Sequence, residues 1–507
     1  MIKKYFNKLT TKENISIIII TIVLSIIINF PLLTKSILTA DILLNNYYYN
    51  AYNWEISLGR FGLFITGIIK NFLVIKHIDL FISFILLGII TVIIIDIFKI
   101  KNKVLKLLTI LTVTASINIS STLLFTYCNL SYIIAFLTSL LSSYILIKEN
   151  NKTKYLISII FLIISESIYQ SYISVSITLL IMYYIKKLIK NDFNLKEFIK
   201  NISTIIIGMI IYFIIMKISL VVFNTNLSNY SSANSFGIKN ILSIKDQIIN
   251  TYITFYNYYF KDTIIKNTYL KNNILNIFLL SILIISIIYN ILKEETYLKN
   301  IIIIIIFLTI LPISLNSILL IISDTKMQPL MSTSYVLMLP FILSLTKNNN
   351  NLIKYLVIIL TIILTRNYII QISATYQTLE TTYNKTYKIA ANIVDNINEL
   401  GYDKKVLITG NLNNNKYYNY NMNYSLENVK KLNYGFISNN SLFWNEYVNI
   451  KNGWTRFMYE YLGTNIDFVN EEKYNEILEK DEFKEMEEYP NKESIKLIDN
   501  VIVIKLN

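Results

Sequence analysis

The hydrophobic positions of this chain fall in long blocks rather than in alternation. Runs long enough to cross a bilayer, at ~20 residues per helical crossing, lie near residues 15–33, 79–98, 104–122, 128–147, 201–223, 273–292, 300–322, 330–346 and 352–373. The segment 155–185 is equally apolar but too long for one span, and Ser165-Glu166-Ser167 and Tyr169-Gln170-Ser171 interrupt its middle. Two helices meeting there give about eleven transmembrane helices. Beyond residue 375 no run can span, acidic residues become common and Asn clusters at 411–415. The pattern predicts an all-α polytopic membrane domain over 1–374 and a small α/β domain over 375–507. In the latter, a helix through 390–400 is closed by Gly401, a suitable C-cap. A strand follows at 406–410, and a terminal hairpin joins 494–498 to 501–506 through Asp499-Asn500. No internal repeat is visible, so inverted-repeat transporter architecture gains no support.

The charges flanking these runs orient the chain. The N-terminus and connections 99–106, 148–154, 186–200, 293–299 and 347–354 hold 20 Lys and no Arg. The opposite connections, 34–78, 123–127, 168–172, 224–272 and 323–329, hold 10 Lys or Arg in about twice the length. The positive-inside rule then places the N-terminus in the cytoplasm. Connections 34–78 and 224–272, and everything after residue 375, fall outside. The run at 15–30 leads into Pro31 rather than a small-residue cleavage site, so it reads as a retained first helix.

Two outside connections are long. The first ends in 61–76, where Phe64, Ile65, Ile68, Ile69, Phe72 and Leu73 recur at helical spacing and predict an interfacial amphipathic helix. The second turns aromatic through Tyr252, Phe255, Tyr256, Tyr258, Tyr259 and Phe260; an aromatic belt at headgroup depth is one reading, a sugar platform or mobile lid the other.

Composition narrows the chemistry. The 507 residues are 54% hydrophobic with a positive mean hydropathy, which excludes an ordinary soluble protein. The net charge of +14 belongs to topology and anionic headgroups, with no nucleic-acid partner. Cys128 and His77 are the single cysteine and histidine, so an intrachain disulfide and Cys- or His-rich metal sites are excluded. A divalent metal would need carboxylates, and no ligand pattern supports one.

The densest polar and aromatic chemistry near a span lies in 39–61. Asp41 suits a general base that deprotonates an acceptor hydroxyl, or an N-cap for a short helix over Ile42-Leu43-Leu44. Glu55 is the second candidate catalytic acid. Arg60 is one of three arginines in a lysine-biased chain, which points to a planar, bidentate phosphate grip or to an interfacial anchor. Lys217, Lys326 and Arg366 approach the outer leaflet on outward-running spans. They either converge with Arg60 on one phosphate or snorkel to the headgroups. Trp54, Glu166, Tyr169 and Gln170 are candidates for lining a cavity and meeting sugar, the last three at a helix break tolerated only inside protein or beside a cavity. A hairpin turn near the surface is the other account of that break. His77 and Asp79 read as interface markers, Asp96 as solvated, and Trp444, Trp454 and Arg456 as core rather than glycan-stacking residues.

The stretch Ile37-Leu38-Thr39-Ala40-Asp41, followed by Trp54-Glu55-Ile56-Ser57-Leu58-Gly59-Arg60-Phe61-Gly62, resembles the GtrII-type membrane glucosyltransferases, a bacterial family of the GT-C superfamily. Ile168-Tyr169-Gln170-Ser171-Tyr172 resembles the family's pattern in a later helix, and Tyr489-Pro490, Ser494-Ile495-Lys496 and Val501-Ile502-Val503-Ile504-Lys505-Leu506 resemble its tail. Ile42 stands where relatives often carry a second acid, which leaves Asp41 as the base. The resemblance implies glucosyl transfer from a polyprenyl-phosphate donor to a surface glycan or teichoic-type acceptor, outside a bacterial cell membrane. A lipid-linked sugar flippase or polysaccharide transporter is the alternative from another class; it would need polar groups through the whole membrane depth.

Overall fold

The computed structural model describes residues 9–228, 244–261, 271–321, 327–346, 350–410, 415 and 447–507. Lys326, Trp444, residues 411–414 and much of connection 224–272 lie outside them. The described residues divide into two units, one formed by the chain up to Phe30 with Tyr47–Ile372, the other by Pro31–Asn46 with the chain from Ser373 onward.

The N-terminal helix Lys12–Ile28 (α1) leads to a connection bearing three short helices, Ala40–Leu44 (α2), Asn53–Ser57 (α3) and Phe61–Ile69 (α4). Then follow Lys76–Phe98 (α5), Lys103–Thr114 (α6), Ile117–Leu124 (α7), Asn129–Lys148 (α8), Thr153–Ile168 (α9), Ile173–Ile189 (α10) and Leu195–Val222 (α11). Ile244–Phe260 (α12), Asn272–Lys293 (α13), Leu298–Leu315 (α14), Met338–Leu345 (α15) and Asn351–Leu400 (α16) complete the helical part. Among the described residues seven helices are long and apolar enough to cross a membrane, and the pair α6–α7, bent by 41°, makes an eighth. The chain is therefore a membrane protein, mostly helical. Each of the eleven predicted segments is helical over most of its length, but α1, α9 and the stretch Pro329–Leu345 are too short for that criterion. Ser83 and Thr91 donate to the carbonyls of Asp79 and Leu87 one turn back, at 2.7 and 2.8 Å, a local solution open to buried hydroxyls in apolar helices.

The predicted interruption of 155–185 is present. Tyr169 is extended (φ −159°, ψ 111°), and the 3-10 turn Gln170–Tyr172 separates α9 from α10. The backbone freed by the break is buried, and Ser139 Oγ donates to the Tyr172 carbonyl at 2.6 Å. A buried break of this kind is a wall of protein rather than a surface hairpin.

Several expectations are corrected. The helix predicted over 61–76 stops at Ile69, because Asn71 and Phe72 take left-handed conformations (φ 50° and 59°) that reverse the chain. Asp79 is buried and paired with Lys70 rather than marking an interface. Asp96 accepts from Tyr144 Oη at 2.9 Å and pairs with Lys148 at 2.9 Å. The aromatic run is split by its helix: Tyr252 and Tyr256 of α12 are exposed, whereas Tyr258 and Tyr259 pack on Tyr335 with ring centroids 4.1 and 5.6 Å apart. Tyr258 Oη also donates to Asn118 Oδ1 at 3.0 Å, and this half of the run lines a cavity with Tyr335 and Tyr368.

In the tail unit, the helix expected at 390–400 is the end of α16, which runs unbroken for 50 residues. Gly401 closes it, with φ +120° and its N–H on the Ile397 carbonyl at 3.0 Å. Strand Lys405–Thr409 (β1), helices Tyr447–Leu462 (α17) and Glu471–Glu479 (α18), and strands Ile495–Ile498 (β2) and Val501–Lys505 (β3) follow. The predicted hairpin forms: β2 and β3 pair antiparallel through Asp499 and Asn500, both left-handed (φ 50° and 61°), as a two-residue type I′ turn requires. Lys480 and Lys473 hydrogen-bond Asp499 and hold its carboxyl down to about 2. β3 pairs parallel with β1 on its other side. Leu407, Val469, Ile477, Met486, Ile498, Val501 and Val503 form the core. Trp454 is fully buried, as expected of a packing residue.

Candidate functional site

The polar loop after α1 is built by a reversal and a clamp. Residues 47–49 and 72–74 pair as a short ladder, Tyr49 N–H on the Phe72 carbonyl at 2.9 Å and Val74 N–H on the Tyr47 carbonyl at 3.0 Å. Between them, α3 presents Trp54 and Glu55, a turn at Leu58-Gly59 follows, and the Arg60 N–H bonds the Glu55 carbonyl at 2.8 Å. This folds Arg60 back over the residue it must face.

The turn is gripped by the membrane helices. Gln170 Nε2 donates to the Leu58 carbonyl at 2.7 Å and to Tyr212 Oη at 2.8 Å. Tyr212 Oη in turn donates to the Gly59 carbonyl at 2.9 Å. Gly59 has φ +79°, and a Cβ there would lie 2.7–3.0 Å from Met216 Sδ, Tyr212 Oη and Gln170 Nε2. Only glycine meets both demands.

The clamp leaves Arg60 stacked on Tyr169, with Cζ 4.6 Å from the ring centroid, within cation–π range. Its Nη1 lies 3.8 Å from Glu55 Oε2, beyond the 2.7–2.9 Å typical of a charge-assisted hydrogen bond. Arg60 Nε and Glu55 Oε2 are both shielded from solvent without a hydrogen-bond partner. The other carboxylate oxygen, Oε1, accepts from Tyr49 Oη at 2.5 Å. Tyr49 is buried edge-on against Tyr127, 4.8 Å between centroids. Burial works against the Arg60 charge, but Tyr132, Tyr169 and Glu55 offset it and hold the guanidinium above its ordinary range. Burial first, and then Glu55, push Tyr49 well above the ordinary phenol range, so it remains a hydroxyl donor.

The other candidates fall as follows. Tyr169 stacks on Arg60, and Gln170 holds the Leu58 carbonyl of the same turn. Trp54, on the same short helix, is 55% exposed. Glu166 is buried at 2% exposure with Oε1 lacking a hydrogen-bond partner. Lys217 and Arg366 lie on the exposed faces of α11 and α16, and Arg366 donates to Asn367 Oδ1 at 3.3 Å. Lys326 lies outside the described residues. Asp41 belongs to the second unit, where it occupies the first turn of α2. It is not the cap: Thr39 Oγ1 accepts the Ile42 N–H at 3.3 Å, which corrects the capping alternative. In that unit Asn46 donates to Glu460 Oε2 at 3.3 Å and Tyr461 Oη at 2.9 Å, joining the end of α2 to α17. Among the described residues no group of three or more His, Cys, Asp or Glu side chains is placed to hold a metal ion.

Tyr49 and Tyr212 are not among the residues expected from the sequence, where Gly59 stands out only as the neighbour of Arg60. The recoverable signal was the four-residue spacing of Gly208, Tyr212 and Met216, one buried stripe on a helix whose neighbouring Ile207, Ile210, Ile214 and Ile218 are exposed.

The clamp depends on close approach at a second glycine. A Cβ at Gly62 would lie 2.8 and 2.9 Å from the Ser167 backbone C and O, atoms of α9 that no rotamer change can move aside. Gly62→Ala is therefore expected to cost about 1–3 kcal/mol, the usual range for overpacking, and to lower the thermal unfolding midpoint of the detergent-solubilised protein. An unchanged midpoint would show that α4 and α9 do not meet so closely.

No curated protein and no solved structure matches the chain. One family model does, described as glucosyl transferase GtrII, and it covers residues 30–345. That match takes in the loop, the clamp and the break at Tyr169, and spans more than half of the sequence. The protein belongs to the GtrII glucosyl transferase family.

Proposed function

We propose that the protein is a GT-C-type glycosyltransferase that moves a hexosyl group, glucosyl in keeping with its family, from a polyprenyl-phosphate donor to a cell-surface glycan or teichoic-type acceptor. The observation that carries this reading is Arg60: a partly buried guanidinium, stacked on Tyr169, with its shielded Nε donor left unused and a carboxylate beside it that does not close the pair. Unsatisfied donors in a shielded place cost ~1–3 kcal/mol each, and an anion with several acceptor oxygens relieves that cost. A phosphate has the geometry for the guanidinium fork.

In this reading Arg60 holds the donor phosphate as it departs, Glu55 touches the donor beside it, and Asp41 removes the proton from the attacking acceptor hydroxyl. Lys217, Lys326 and Arg366 attract the anionic headgroup toward the outer leaflet. Trp54, Tyr169, Gln170 and Glu166 shape the cavity. Alignment of two bound substrates supplies up to ~7–11 kcal/mol of such a reaction, and each well-placed charge on the leaving phosphate about 3 kcal/mol more. The charge bias of the connections supports a cytoplasmic N-terminus with residues 375–507 outside, and we assign the transfer chemistry to residues 1–374.

The test is reconstitution in liposomes carrying a polyprenyl-phosphate glucose labelled in the sugar. Label passing to glycan acceptor or to water is the expected result. Label crossing the bilayer still attached to its lipid, without release, would make the protein a flippase.

A further inference from the structure

Two carboxylate oxygens of one residue have different fates in this site. Glu55 Oε1 is engaged by Tyr49 Oη at 2.5 Å, and Tyr49 is itself fixed by burial against Tyr127. Glu55 Oε2 accepts no hydrogen bond and stands 3.8 Å from Arg60 Nη1. Glu55 is 13% and Arg60 21% exposed, but Oε2 and Arg60 Nε are themselves shielded from solvent, so a headgroup meets them only as the side chains covering them move. The unmet capacity is an acceptor next to a donor. A ligand that satisfies both presents a hydroxyl beside an anionic oxygen, a few ångströms apart.

We propose that Glu55 Oε2 accepts a hydrogen bond from the hydroxyl on C2 of the donor sugar while Arg60 holds the adjoining phosphate, with Tyr49 as the positioning residue that leaves only Oε2 free. This rests on the donor class assigned above and deepens it. In a glycosyl phosphate, C2 adjoins the anomeric carbon that bears the phosphate, and its hydroxyl is the ring hydroxyl nearest to that group. The hydroxyls on C3, C4 and C6 stand farther off than the narrow Glu55–Arg60 spacing spans. The same hydroxyl becomes more acidic as positive charge builds at the anomeric carbon, so its hydrogen bonds strengthen in the transition state. Glu55 therefore acts in kcat as well as in binding.

The experiment compares glucosyl transfer from a short-chain polyprenyl-phosphate glucose and from its 2-deoxy analogue by the full-length protein in liposomes, for wild type, Glu55→Gln and Tyr49→Phe. The wild type is expected to lose on the order of 10–100-fold in kcat/KM on the 2-deoxy donor, the range of a hydrogen bond to a charged group. Glu55→Gln is expected to lose a similar factor on the parent donor and almost nothing further on the analogue. Tyr49→Phe, which keeps the carboxylate but frees its orientation, narrows the discrimination between the two donors, a change that loss of stability alone would not produce. Equal use of both donors by the wild type, or undiminished discrimination in Glu55→Gln, overturns the assignment. If the wild type transfers from neither donor, the donor class itself is wrong and the assignment falls with it. Should Glu55→Gln fail to accumulate in the membrane, the Tyr49→Phe comparison decides alone.

Discussion

Replacing Arg60 with lysine lowers transfer by ~10²–10³-fold, the range seen when one preorganised donor to a developing anion is lost. The charge survives this substitution; what goes is the planar fork and its stacking on Tyr169, 4.6 Å away. An ammonium is a compact, strongly hydrated point charge that meets a phosphate at one position and cannot stack flat on the ring face as a guanidinium does. The donor KM is expected to rise along with the fall in kcat, since the same contact binds the ground state. Alanine at this position is a poorer test, because it strands Glu55 as a partly buried carboxylate without its cation, a change that can cost ~3–5 kcal/mol when burial is complete. Lys217→Met and Arg366→Met form the control. Both cations lie on the outward faces of helices long and apolar enough to cross a membrane, where long basic side chains snorkel to the headgroups, so each is expected to change transfer only a few-fold. A loss in Lys217→Met that matches Arg60→Lys would move the phosphate away from Arg60.

The parts of the fold that could be read beforehand were those set by a local rule. An apolar run too long for one crossing and interrupted by Glu166 and Gln170 has to break, and it does so at Tyr169. Asp499-Asn500 between two apolar strands has to turn, and both residues take the left-handed conformation. The parallel pairing of β1 with β3 was not readable, because no local signal links Lys405 to Val501. The continuity of the long helix α16 is hidden in the sequence for a related reason. Its hydropathy drops after residue 373, yet helical hydrogen bonding is indifferent to hydropathy. Thr378, Thr382 and Thr386 each return their hydroxyl to the carbonyl four residues back, at 2.8–2.9 Å, so a polar face continues the helix without orphaned groups.

The site was legible by residue type and illegible by geometry. Arg60 was conspicuous as an arginine among lysines, and its partner Glu55 was near in sequence. Tyr212 was not, since it is one tyrosine among 39 in an apolar helix more than a hundred residues away. Its neighbourhood explains why the distinction matters. Met216 and Lys217 are adjacent in sequence, but one residue turns a helix by about 100°, so the first packs on Gly59 and the second lies on the exposed face. Gln170 was a candidate for meeting sugar, yet its Nε2 is spent on the Leu58 carbonyl and Tyr212. Its amide nitrogen holds the loop in place.

Asp41→Asn is expected to reduce transfer by ~10²–10⁴-fold, the usual contribution of a positioned general base, while leaving the protein folded in the membrane. The fold should tolerate it because the helix cap is Thr39, whose hydroxyl accepts the Ile42 N–H. Asp41 lies in the first turn, where an acidic charge is worth only ~0.3–1 kcal/mol against the helix dipole. Asparagine keeps the side-chain shape and removes the basicity alone. The kinetic signature should differ from that of Arg60→Lys: a base acting on the acceptor leaves the donor KM unchanged and lowers kcat, whereas the phosphate contact moves both. Membrane abundance and the thermal midpoint in detergent separate a lost base from a lost fold. Full transfer by Asp41→Asn would remove the assignment, and full transfer by Asp41→Asn with none by Glu55→Gln would make Glu55 the base.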